Sequence, residues 1–138
     1  MRLVLDTNVV ISALLWRGSP NKLLRGGLES NVRFFTSSPL LAELTDVLSR
    51  PKLQRQIVRE GLSVSQLIGN YSASATRVEP FRIPPIAPDP DDDMVIGTAL
   101  AAKADLIVTG DRALRSVAQH QGIRIISVAE ALEAVANV

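Results

Sequence analysis

Four carboxylates in four separate stretches, Asp6, Glu43, Asp93 and Asp111, are the residues of this chain best suited to chemistry. Side chains of this kind brought within a few Å repel one another, and they stay ionised together only when a cation offsets the charge. A hard divalent ion that takes oxygen ligands, Mg²⁺ or Mn²⁺, is the natural partner. Such a site can activate water and stabilise the oxyanion that develops in phosphodiester hydrolysis, with one metal or two. Each acid also has a plainer use. Asp6 and Asp111 fit as helix N-caps and Glu43 as a solvated helix residue, while the run Asp89, Asp91, Asp92, Asp93 fits as a hydrophilic loop with one cap. Their joint placement is what points to a site. The register within the run also leaves Asp92 able to share the role assigned to Asp93.

Competing chemistry is sparse. The absence of cysteine removes disulfides, thiolate metal sites and cysteine nucleophiles, and it fits a cytoplasmic protein. The single histidine, His120, is expected late in a helix, where a cation suits the helix end, so it is not the expected general base. No P-loop, GxGxxG, GxSxG or HExxH pattern is present. With 15 Lys and Arg against 14 Asp and Glu, the net charge of +1 gives no global basic field, so any nucleic-acid binding must be local. Arg50, Lys52, Arg55 and Arg59 cluster with no acid among them, and Arg112 and Arg115 follow Asp111 directly. Both groups are candidates for holding substrate phosphates, against the alternative of ordinary solvated helix faces. Aromatic residues are only 4% of the chain, so no base-stacking platform is evident.

The elements that must position these acids read as alternating strands and helices. Leu3–Leu5 is a short β-prone run that ends at Asp6, followed by a helix over Val9 to Trp16. Ser19-Pro20 and Ser38-Pro39 each pair a cap with proline at the first helical position, and the strand Val32 to Thr36 lies between the helices they open. In the helix from Ser38 to about Arg50, Leu40, Leu41, Leu44, Val47 and Leu48 form one apolar stripe. At about 100° per residue, Glu43 flanks that stripe and Asp46 faces water. A basic helical stretch runs to Gly61, Ser63 to Gln66 has capping-box spacing for a helix ending near Ala75, and Arg77–Glu79 is the third expected strand. Prolines at 80, 84, 85, 88 and 90 make the next segment an extended connection. Asp93 is expected to open a helix through about Ala102, Leu106–Val108 to form a strand, and Gly110-Asp111 to lead into a helix ended by Gly122. Ile123–Ile126 is the last strand, and Ser127 to Glu130 caps the terminal helix.

This alternation implies a parallel sheet with helices on both faces. At 138 residues and 46% apolar composition, one domain over 1–138 is expected. In open sheets of this class, ligands collect outside the carboxyl ends of the strands, where Asp6 and Asp111 fall. The apolar start of the chain carries Asp6 inside its hydrophobic run and lacks a cleavage pattern, so it does not read as a signal peptide. No stretch reaches the roughly 20 apolar residues of a membrane span.

Four segments in order carry a family resemblance: Leu-Val-Leu-Asp6-Thr7-Asn8, Ser-Pro-Leu-Leu-Ala-Glu43-Leu, Pro-Asp-Asp-Asp93-Met-Val-Ile-Gly, and Ile-Val-Thr109-Gly110-Asp111. Together they resemble the acidic motifs of PIN domains over essentially the whole chain, most closely the VapC-like toxins of prokaryotic type II toxin–antitoxin systems. The resemblance implies a five-stranded parallel sheet in the order 3-2-1-4-5 and a Mg²⁺ or Mn²⁺ site. Asp6 and Asp93 would be the most direct ligands, Glu43 and Asp111 would complete the pocket, and Asn8 and Thr109 would orient carboxylates, although Asn8 also fits as a simple helix cap. It further implies a ribonuclease acting on RNA, with a small antitoxin as inhibitor and a homodimer as the assembly. Two rivals stand beside it. A phosphatase or receiver domain also places an aspartate after its first strand, but Asn8 stands where a dehalogenase-type phosphatase would need its second aspartate, and no lysine follows the last strand. An inert PIN-like module for RNA binding or scaffolding is the other.

Overall fold

The computed structural model describes residues 1–137. Its sheet grows outward from β1 (Arg2–Leu5), which pairs in parallel with β2 (Arg33–Thr36) on one side and β4 (Leu106–Val108) on the other. β3 (Ala75–Arg77) extends the sheet beyond β2, and β6 (Ile123–Ile126) extends it beyond β4, both in parallel. Alternation along β1 sends Leu3 and Leu5 into one apolar layer and Val4 into the other. The central strands are therefore buried on both faces, as a parallel sheet requires.

The helices that cover the sheet divide unevenly. The Leu3 face packs against α1 (Thr7–Leu15), α2 (Ser19–Leu28), α3 (Ser38–Leu48), α4 (Pro51–Arg59), α5 (Val64–Ser74) and α8 (Val128–Ala136). The Val4 face carries α6 (Pro90–Ala101) and α7 (Arg112–Arg115), with Ile83, Ile86 and Ala87 of the proline-rich segment packed alongside. That segment lies directly on α6: the Phe81 N–H donates to the Gly97 carbonyl at 3.0 Å, and a methyl group on Gly97 would run into the Phe81 carbonyl oxygen. Among the described residues no helix is long and apolar enough to cross a membrane.

Among the described residues the sheet is six-stranded and mixed, not five-stranded and wholly parallel: β5 (Gln119–His120) lies beyond β6, and the order is β3-β2-β1-β4-β6-β5. The added strand pairs antiparallel with β6 through His120↔Ile123 and Gln119↔Arg124. Gln121 and Gly122 both take positive φ, 48° and 84°, which is the two-residue hairpin turn matched to the twist of antiparallel strands. Gly122 is thus a turn residue and not a helix terminator. The helix expected to reach it stops at Arg115, and His120 sits half-buried in a strand. α6 also departs from its expected start: it begins three residues before Asp93 because Asp89-Pro90 is itself a cap and proline pair. The Asp89 carboxylate accepts from the Asp91 N–H at 3.0 Å.

Candidate active site

β1 and β4 end side by side, with Leu5 opposite Val108, so the residues that follow them are delivered to one edge of the sheet. Asp6 is held there with only 6% of its surface exposed. Its backbone N–H still bonds the Val108 carbonyl at 2.9 Å, its Oδ1 accepts from the Thr7 N–H at 2.8 Å, and its Oδ2 accepts from the Thr109 hydroxyl at 2.7 Å. Thr109 is fully buried, and its Oγ1 also accepts from the Asp111 N–H at 3.0 Å. One hydroxyl therefore fixes both the Asp6 carboxylate and the loop that carries Asp111. Asp111 caps α7 through Oδ1, which accepts from the Ala113 N–H at 3.0 Å.

The third acid comes from α6, and the start of that helix decides which residue it is. A step of one residue turns a side chain by about 100°. Asp92 faces inward, 8% exposed, and its Oδ2 is shielded from solvent with no hydrogen-bond partner among the described residues. Burial, then the adjoining Asp111 carboxyl, then the charges of Asp6 and Asp89, push the Asp92 carboxyl up to about 7. Asp93 turns away and accepts from the Ile86 and Ala87 N–H groups at 3.1 and 2.8 Å, tying the proline-rich segment to the helix. The structure thus gathers Asp92 with Asp6 and Asp111, and gives Asp93 a structural task.

Glu43 is half-buried on α3. Burial raises its proton affinity and the nearby charges of Asp6, Asp91 and Asp89 raise it further, while the Thr7 hydroxyl acts in the opposite sense. Asp6 is shifted upward too, by burial first and by Asp111 last, with the Thr109 and Thr7 donors opposing. Asp6 is the common member: its charge raises the proton affinity of both Glu43 and Asp92, and Asp111 raises those of Asp6 and Asp92. Ser37, the N-cap residue of α3, and Thr98 of α6 form a buried hydroxyl pair at 2.8 Å that helps tie the two helices together.

The remaining sequence candidates separate. Arg112 and Arg115 lie on α7, immediately after Asp111. Arg50 and Lys52 lie beyond the far end of α3, and seven residues at about 1.5 Å rise place Arg50 roughly 10 Å along the axis from Glu43. Arg50 is exposed and paired with Asp46 at 3.5 Å. Asn8 is exposed in the first turn of α1, and the hydrogen bonds that hold Asp6 come from Thr7 and Thr109. Thr7, Ser37 and Thr98 escaped the sequence reading. Thr98 alone left a trace, as the one hydroxyl in the apolar run Met94 to Ala102.

Among the described residues no three His, Asp or Glu side chains form a ready-made metal cage. An all-oxygen donor set with a buried, unpartnered carboxylate oxygen and raised proton affinities still suits a hard divalent cation, since such ions commonly use one or two carboxylates and keep several waters. Closer convergence without a cation would cost more repulsion.

A sequence model of the PIN domain matches residues 2–113, a span that includes all four acids. No curated protein matched the chain. Among solved structures, the chain superposes on the crystal structure of VapBC2 from Rickettsia felis bound to a DNA fragment from their promoter. The TM-score is 0.64 at 16% identity, covering 92% of this chain and 98% of that one. At that identity the likeness speaks for the fold.

Proposed function

The chain belongs to the PIN-domain family, and from that premise we propose that it is a metal-dependent endoribonuclease, the toxin of a type II toxin–antitoxin pair. The observation that carries the reading is the gathering of Asp6, Asp92, Asp111 and Glu43 at the carboxyl edge of the sheet, with one buried carboxylate oxygen left unpartnered. Asp6 and Asp92 would hold a Mg²⁺ or Mn²⁺ ion, with Asp111 beside them. When bound, the ion offsets the clustered charge, polarises a phosphate oxygen and acidifies water.

The chain's own residues do the rest. Thr109 and the Thr7 N–H fix the Asp6 carboxylate so that little reorganisation is left at the moment of reaction. Glu43, with raised proton affinity and partial exposure, is suited to take a proton from a water molecule and return it to solvent. The half-buried setting limits competing solvent and strengthens each interaction.

Purified protein should cleave single-stranded RNA in Mg²⁺ or Mn²⁺, with excess EDTA abolishing cleavage and Asp6→Asn serving as the inactive control. Undiminished cleavage in EDTA overturns the metal mechanism. An inert RNA-binding module is the rival, favoured by the absence of a ready-made cage among the described residues; metal-dependent turnover separates the two. The antitoxin partner is proposed from the fold shared with a structure solved as VapBC2. Co-expression with the product of an adjacent small reading frame should give a complex with suppressed cleavage.

A further inference from the structure

Where α7, the β5–β6 hairpin and the first turn of α8 meet, the surface opens into a cavity of about 600 Å³. Arg112 and Arg115 line it from α7, Arg124 from β6 and Glu130 from α8. Arg112 and Arg115 are three apart and so share one side of their short helix. The one ion pair among the described residues is Arg50 with Asp46, so none of these three guanidiniums is neutralised by a close carboxylate. Glu130 offsets them only in part. Its Oε1 is engaged by the Ser127 N–H at 3.2 Å and the Ser127 hydroxyl at 3.0 Å as the capping box of α8. The Arg115 Nε is shielded from solvent yet has no acceptor among the described residues.

Three guanidiniums around an open cavity, one with a buried donor unused, call for an oxyanion, and a planar fork of N–H donors matches phosphate oxygens. The lining also includes Ser116 and Gln119 but no aromatic side chain, so bases have nothing to stack on there. Arg112, which lines the cavity, follows Asp111 directly in the chain, so one wall of the cavity starts one residue from the carboxylate cluster. We propose that this arginine-lined cavity binds the phosphodiester backbone of the RNA next to the cleaved bond, through Arg112, Arg115 and Arg124. It would hold the strand without reading its sequence. This assignment rests on the nuclease reading and names the path of its substrate.

The test is fluorescence anisotropy of a labelled single-stranded RNA with the full chain in EDTA, from 50 to 200 mM salt. Arg115→Gln/Arg124→Gln should weaken binding by about tenfold and flatten the slope of log K against log salt by about 1.4, at about 0.7 per phosphate contact in single strands. Arg50→Gln/Lys52→Gln removes the same charge at the far end of α3 and should leave binding within about twofold. Arg124→Gln alone, at an exposed position, should show half the slope change and guards against misfolding of the double variant. Wild-type affinity and slope in the Arg115/Arg124 variants would overturn the assignment, and so would equal losses in both double variants. Displacement of RNA by micromolar inorganic phosphate at constant ionic strength would also overturn it, in favour of a free-phosphate site. Failure of metal-dependent cleavage is a separate result: it overturns the nuclease reading and leaves these binding measurements to stand alone.

Discussion

Asp92→Asn should stabilise the metal-free protein while abolishing cleavage. The Asp92 carboxyl is buried against Asp111 and Asp6 and its proton affinity is raised from 3.8 to about 7. Between those two values the folded chain keeps a proton that the unfolded chain has released. Stability is therefore full at and below about 3.8, falls as pH rises, and carries the whole penalty above about 7. A shift of this size corresponds to at most about 4 kcal/mol, and solvent at the open mouth of the cleft reduces it to about 1–3 kcal/mol. Asparagine keeps the shape and removes the charge. For a chain of this length the gain should appear as a melting temperature about 3–10 °C above wild type at pH 8. Thermal melts in EDTA from pH 4 to pH 8.5 measure it, and the difference should shrink steadily towards pH 4. Added Mg²⁺ should then stabilise wild type more than the variant, since a ligand that binds only the folded state contributes about RT ln(1 + [L]/Kd). A variant that melts below wild type at pH 8, or by the same margin at every pH, refutes the charge-cluster reasoning.

The neighbouring residue should behave in the opposite way. Asp93→Ala leaves the Ile86 and Ala87 N–H groups without their acceptor and should cost about 1–3 kcal/mol at pH 8 by chemical denaturation; a stabilised Asp93→Ala would place it in the cluster after all. Thr109→Val should lower metal affinity about 10–100-fold, read by Mn²⁺ titration, because it removes the donor to Asp6 and the acceptor for the Asp111 N–H. Gly97→Ala should cost about 1–3 kcal/mol and loosen the proline-rich segment, visible as faster amide exchange at Phe81, since the new methyl meets the Phe81 carbonyl. A neutral Gly97→Ala melt would show that the segment is not seated on α6.

Local rules carried much of the molecule. Short apolar runs bounded by caps, and the Ser-Pro pairs before two helices, locate β1, β2, α2 and α3 within a residue or two, because burial on both faces and proline at a first turn leave a local mark. Asp6 and Asp111 were legible as residues at strand ends, and Glu43 by its angle to an apolar stripe. The choice between Asp92 and Asp93 was not legible. It depends on α6 starting at Pro90, and at about 100° per residue a small change in the start decides which carboxylate enters the cleft and which bonds the loop. The β5 hairpin was hidden for a related reason: a glycine after a polar residue marks a helix end or a two-residue turn equally well, and only pairing with β6 selects the turn. Arg124 reads in sequence as an outward strand residue, and it joins Arg112 and Arg115 only because α7 is short and packs beside β6. Residue types and spacing thus determined which chemistry was available, whereas helix register and strand pairing, which are properties of the packed chain, decided which side chains meet.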